Sequence, residues 1–300
     1  MERTAAVEVT LARAERRRLP FWLDVVRRLI REKPLGLIGG LLVLILVILA
    51  VGAPVIAPYD PLEIRGADRL SPPSLRHPFG TDNLGRDLFS RIVYGARISM
   101  YVGLMAVLLS TVISLLIGVV SGYFGGKVDM LWQRLVDAVI AFPGLIFVLM
   151  VIAVLGTGIN NVILALGVLG GVSGSRVIRG STLAVKEQAF IEAARALGCG
   201  HTRTILVHIL PNVMAPAITL ATLGLGTAIL VEASLSFLGL GVPPPDPTWG
   251  SMLSREARRW MLEGPWLAVF PGLFLSLAVF GFNMLGDALR DLLDPRLRGR

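Results

Sequence analysis

Cysteine is nearly missing from this 300-residue chain. Cys199 stands alone, so neither an internal disulfide nor a cysteine-built metal site can form. With no partner thiol and no base beside it, Cys199 is expected to be inert. Histidine is also scarce, and His77, His201 and His208 do not fall at ligand spacing, which argues against a metal centre. No nucleotide-binding or nucleophilic motif is complete. The nearest stretch to a phosphate-binding loop, SGYFGGKV at 121–128, has Ser121 for the first glycine and Val128 in place of the closing hydroxyl residue. Gly171, Ser173 and Ser175 begin a nucleophile elbow that lacks its final glycine. The chain thus shows no enzyme site and is not expected to hydrolyse ATP by itself.

Charge is missing from the long apolar stretches as well. Ion-coupled carriers and proton pumps place ionisable groups near the bilayer midplane. Here Arg134, Asp137 and Asp287 lie toward the ends of predicted spans, with Arg134 and Asp137 on one helical face as an expected pair. Glu232, about two thirds of the way along the fifth predicted span, is the exception. It either lines a polar route or is held by hydrogen-bonding partners, since a buried carboxylate must be satisfied.

What is abundant is apolar: 54% of residues, arranged in runs that approach or exceed the length needed to cross a bilayer. A soluble domain is excluded on that ground. The net charge of +8 would suggest nucleic acid in a soluble chain, but these basic residues flank spans, where topology and lipid headgroups account for them. Residues 1–34 form a basic leader in which 19–33, LPFWLDVVRRLIREK, reads as an amphipathic helix lying on the membrane surface. The first span, 35–51, holds thirteen Leu, Ile or Val residues, which together favour insertion by about 4–8 kcal/mol. A long charged leader before so long an apolar run is unlike a cleaved signal, so this span is expected to remain as an anchor.

Residues 54–96 are polar and proline-dotted, a loop ending in a short surface helix at 83–96 where Leu84, Leu88 and Ile92 recur four apart. Further spans are predicted at 98–124, 131–155, 160–177, 213–240 and 266–289. Pro143 is expected to kink the third and is a candidate path-lining residue together with Glu232. Gly167/Gly171 and Gly170/Gly174 give the fourth span two small-xxx-small pairs for close packing. The expected fold is all-α and polytopic: six transmembrane helices, an interfacial N-terminal helix and a cytoplasmic loop between the fourth and fifth spans. The expected domains are 1–34, 35–96, a five-helix core at 97–290 and a tail at 291–300. With the start of the chain inside, 20 of the 29 Lys/Arg fall on inner segments and 9 on outer ones, which puts both termini in the cytoplasm.

The chain is organised around that loop, EQAFIEAARALGCGHTRTILVHILPN at 187–212. Residues 187–197 are strong helix formers, Gly198 suits a helix C-terminus and Gly200 loosens the turn. A second short helix at 202–208 is predicted, with Pro211 in the first turn of the next. Ala193 and Ala194 offer a face that another protein can approach closely.

At these residues the chain resembles a known family. Glu192, Ala193, Ala194, Gly198, Leu210 and Pro211 are similar to the "EAA loop" of ABC importer permeases, with His208 where that pattern usually has Ile. Three more stretches resemble the C-type permease subunit of dipeptide, oligopeptide and nickel importers: 77–97 (HPFGTDNLGRDLFSRIVYGAR), 232–250 (EASLSFLGLGVPPPDPTWG) and 283–300 (NMLGDALRDLLDPRLRGR). The resemblance implies an inner-membrane permease paired with a paralogous B-type subunit. It also implies two ABC ATPase subunits, which bind the ATP and Mg, and an extracytoplasmic substrate-binding protein, with no cofactor in this chain. In that reading Ala193 and Ala194 give close approach, Glu192 a charge or cap contact, Gly198 the bend, and Leu210 with Pro211 a coupling to the fifth span. The subfamily carries di- and oligopeptides, nickel complexes, glutathione and some oligosaccharides. An ion-coupled carrier and a non-transport membrane scaffold are the competing classes.

Overall fold

The computed structural model describes residues 21–293; of the expected leader (1–34) and tail (291–300), residues 1–20 and 294–300 lie outside the described residues. The described chain is helical, with one isolated antiparallel bridge, Thr81 to Asp87. Helix α1 (Phe21–Glu32) carries an Arg28–Glu32 pair one turn apart, and that guanidinium holds the Glu32 carboxyl below the usual range. Helix α2 (Pro34–Val51) starts on a proline, which has no N–H to leave unpaired in a first turn.

The predicted surface helix at 83–96 does not exist as a separate element. Helix α3 (Leu88–Phe124) runs unbroken from the outer loop through the span, and Leu88 and Ile92 are fully buried. Their fourfold spacing marks the buried face of a long helix. Its start is fixed by Asp87, whose carboxylate accepts from the Ser90 N–H at 2.8 Å, while the other oxygen meets His77 Nδ1 at 2.9 Å. The preceding loop is tied down by Asp82, which accepts from the backbone of Leu84 and Arg86 and pairs with Arg86. Two tryptophans clamp it from the far end of the chain: Trp249 Nε1 donates to the Ile92 carbonyl at 3.1 Å and Trp266 Nε1 to that of Thr81 at 3.0 Å.

Where a kinked third span was expected, two helices meet at 89°: α4 (Gly126–Ile140) and α5 (Gly144–Leu155), with Pro143 in the break. Proline disfavours helical backbone before it and lacks the N–H that would continue the ladder. The chain turns a corner there. The expected Arg134–Asp137 pair is also absent; Asp137 pairs with Arg176 of the next helix, α6 (Ile159–Lys186), and Asp129 with Arg179. Ion pairs across to α6 therefore fasten α4, and they explain why α6 continues about nine residues past the predicted end of its span.

α3 and α6 pack through glycine. A Cβ on Gly167 would sit 2.6 Å from Leu109, on Gly171 2.5 Å from Ile113, on Gly118 2.7 Å from Ile178 and on Gly122 2.8 Å from Thr182. No methyl group fits, so the backbones touch as the small-residue pattern predicts. The partner numbers rise together, which makes the two helices parallel. Two parallel crossings require the chain between them to return across the bilayer, so the bent α4–α5 pair counts as a crossing.

Helix α7 (Ala189–Ala196) follows, then α8 (His201–Phe237), a short helical segment at 249–260 and α9 (Trp266–Leu293). α9 lies antiparallel against α8, with Gly226 facing Asn283 and Gly286 facing Leu223, and antiparallel against α2, with Gly36 against Ala288 and Gly39 against Met284. Lys33 pairs with Asp291, so the start of α2 and the end of α9 share one side. Six crossings result among the described residues, five by long apolar helices and one by the bent pair.

Candidate functional site

The loop at 187–212 folds into a knuckle on the same side as Lys33, because α8 leaves it parallel to α2. α7 covers most of the first predicted short helix and ends as a glycine cap should. Gly198 has φ +84°, its N–H donates to the Arg195 carbonyl at 2.9 Å, and the Cys199 N–H reaches back to Ala194 at 3.0 Å. The second predicted short helix is absent as a separate unit. Residues from His201 run directly into α8, through a wide turn at Thr204–Ile209 in which the Leu210 N–H bonds the Ile205 carbonyl five residues back. Pro211 is the reason: it has no N–H to offer, and its ring crowds the preceding turn, which widens rather than breaking. Pro211 itself is exposed and Leu210 half-buried against Val213 and its neighbours.

The two alanines differ. Ala193 is exposed, whereas Ala194 is only 7% exposed and turned into the protein. The expectation that both present an open face is corrected to Ala193 alone. Ile191, on the inner face with Ala194, is fully buried in a cluster with Val119, Tyr123, Ile178 and Ile209. The outer face carries Phe190 and Leu197 flanking Ala193, 45% and 86% exposed, with Glu192 beside them. Phe190, Ala193 and Leu197 recur three and four apart and form one apolar stripe that the described residues leave uncovered. Reading only for small residues misses Phe190 and Leu197; their helical spacing was the available signal. Beneath the knuckle lies Tyr123, whose hydroxyl and His201 Nδ1 are hydrogen-bonded at 2.8 Å.

Above it, α3, α6 and α8 line a half-open cavity of about 470 Å³. Its polar lining is hydroxyl, from Ser110, Thr111, Ser114, Ser173 and Thr227, and no lining residue is charged. Neither path-lining candidate faces it. Pro143 is exposed at the α4–α5 corner. Glu232 is fully buried between α3 and α8, accepting from Ser99 at 3.0 Å and Ser236 at 2.7 Å. Of the two roles open to Glu232, the geometry matches the hydrogen-bonded anchor.

Residues 114–299 match the family described as "binding-protein-dependent transport system inner membrane component", and residues 20–73 match "N-terminal TM domain of oligopeptide transport permease C". The chain is 41% identical over 277 residues to the dipeptide transport system permease protein DppC of Alkalihalophilus pseudofirmus, covering 92% of this chain and 90% of that protein. It is 44% identical over 279 residues to the glutathione transport system permease protein GsiD of Escherichia coli O1:K1 / APEC, covering 93% and 91%. A solved structure of the MetNI methionine ABC transporter, in inward-facing conformations, aligns with a TM-score of 0.55 at 17% identity over 68% of this chain and 96% of that one. That last likeness is one of fold.

Proposed function

We propose a mechanism from one premise: this chain belongs to the family of binding-protein-dependent transport system inner membrane components, and is a permease subunit of an ABC importer. The uncovered stripe Phe190–Ala193–Leu197 is the observation that carries the mechanism. An apolar patch on a polar knuckle calls for a partner, and the sequence completes no nucleotide-binding motif that would power transport. In this reading a separate ABC ATPase grips α7, with Glu192 and Arg195 at the rim of the contact. A second ATPase subunit serves a paralogous B-type permease that forms the other half of the path. ATP and Mg bind the ATPases, and nucleotide binding there biases the permease between two states.

The knuckle side is then cytoplasmic, as the 20:9 division of Lys/Arg favours. The clamped loop at 54–87 and residues 242–262 face outward, toward an extracytoplasmic substrate-binding protein. The cargo in this reading is a short peptide. Dipeptides and glutathione share amide groups and small size, and an uncharged, hydroxyl-lined cavity offers hydrogen bonds to amides without selecting side-chain charge. The test is purification of the tagged chain from its native membrane, with reconstitution in liposomes. An ATPase should co-purify, and peptide uptake should require ATP. Uptake that persists without ATP and collapses with the ion gradient would assign the chain to the carriers.

A further inference from the structure

The stretch that fails as a phosphate-binding loop, SGYFGGKV, holds a residue that the docking reading has not used. We infer that Tyr123 is a positioning residue, a second mechanical link that carries motion of the docking knuckle into α3 and α6 without passing through the wide turn of α8. The inference rests on the reading of α7 as the ATPase grip. Tyr123 sits in the last turn of α3 and is 4% exposed. Its hydroxyl bonds His201, the first residue of α8. Its ring lies 5.3 Å from the Arg195 guanidinium of α7 and 5.9 Å from the Lys186 ammonium at the end of α6, and meets the His201 ring edge-on. One side chain thus touches every element that flanks the knuckle.

Packing alone does not call for this chemistry. The surrounding cluster is aliphatic, and Phe would fill it equally well. The hydroxyl and the two cations are additional, and they tie the ring to the mobile side of the contact. The route through α8 passes the wide turn at Thr204–Ile209, the kind of turn that acts as a hinge. The route through Tyr123 bypasses it. It enters the α3–α6 pair, whose glycine contacts leave no room to slide, and those two helices wall the hydroxyl-lined cavity.

The test uses the complete transporter in proteoliposomes, comparing Tyr123→Phe, His201→Ala, His201→Asn and the Tyr123→Phe/His201→Ala double variant. The readout is substrate moved per ATP hydrolysed, alongside melting midpoint and the amount of ATPase bound. Tyr123→Phe and His201→Ala should each lower the ratio about fivefold, the worth of one hydrogen bond. The double variant should be no worse than either single one, and His201→Asn should recover most of the loss. Because His201 is exposed, its variants fold even where a Tyr123 change does not. An unchanged ratio, additive losses, or losses that track the melting midpoint alone would overturn the link. Failure of the docking reading looks different: the wild-type complex would then show no dependence on the α7 face at all.

Discussion

Adjacent alanines on α7 offer a sharp test, because the same substitution should act on different properties at each. Ala193 points outward and Ala194 inward. Ala193→Trp places an indole on the open stripe between Phe190 and Leu197 and meets nothing in its own chain, so stability should change by no more than about 0.5 kcal/mol. The added ring must, however, occupy space that the ATPase needs, and ATP-driven uptake should fall by about tenfold or more, equivalent to about 1.4 kcal/mol of lost coupling. Ala194→Trp forces the same ring into a packed site beside Ile191, which costs about 1–3 kcal/mol by overpacking. Melting of the purified chain, ATPase co-purification and uptake in proteoliposomes separate the two effects. The first variant should melt normally and bind less ATPase; the second should melt early. Normal uptake by Ala193→Trp, with normal ATPase binding, would refute the assignment of this face as the grip.

Other consequences are equally direct. Gly198→Ala should destabilise the knuckle by about 1 kcal/mol through backbone strain alone, because its φ is +84° while no atom lies within 4 Å of the new methyl group; hydrogen exchange at Cys199 would report it. Glu232→Ala should lower the melting midpoint by leaving the Ser99 and Ser236 hydroxyls unpaired in a dry site, at about 1–3 kcal/mol. Glu232→Gln should be milder, and the uptake rate per folded molecule should not change; abolished uptake at normal stability would make Glu232 part of the path. In a Cys199→Ser background, a cysteine at Leu75 should react with an impermeant thiol reagent from outside, and one at Leu197 only after permeabilisation. The reverse pattern would invert the topology.

The spans were legible because each is a long apolar run with few charges, and that signal depends on composition alone. The glycine pairs of α6 were legible too, since two small residues four apart have one principal use in a membrane helix. Boundaries were not. Leu88 and Ile92 read as a surface stripe because nothing in their spacing announces that Trp249, more than 150 residues away, closes over them. Asp137 looked nearest to Arg134 along its own helix, and only the fold brings Arg176 closer. Pro211 and Pro143 carry the same rigid ring. One widens a helix that continues and the other turns a corner of 89°. What separates them is the tertiary contact on either side: Ile209 and Val213 are anchored in a common cluster across Pro211, whereas residues 141–146 around Pro143 are exposed.

The broad turn ahead of Pro211 also sets an angular offset. Each residue of a regular helix advances the side chains by about 100°, and a bond that closes over five residues instead of four spends one extra residue without adding to the rotation. Every side chain of α8 beyond that point is therefore out of phase by one position with those below it. Removing a single residue from 204–209 would therefore be absorbed as plain helix, leaving both the upper faces and the knuckle's own face where they are. A second deletion would find no spare residue to remove: it would take about 100° of rotation out of regular helix and swing the aim of α7 relative to the membrane half of α8.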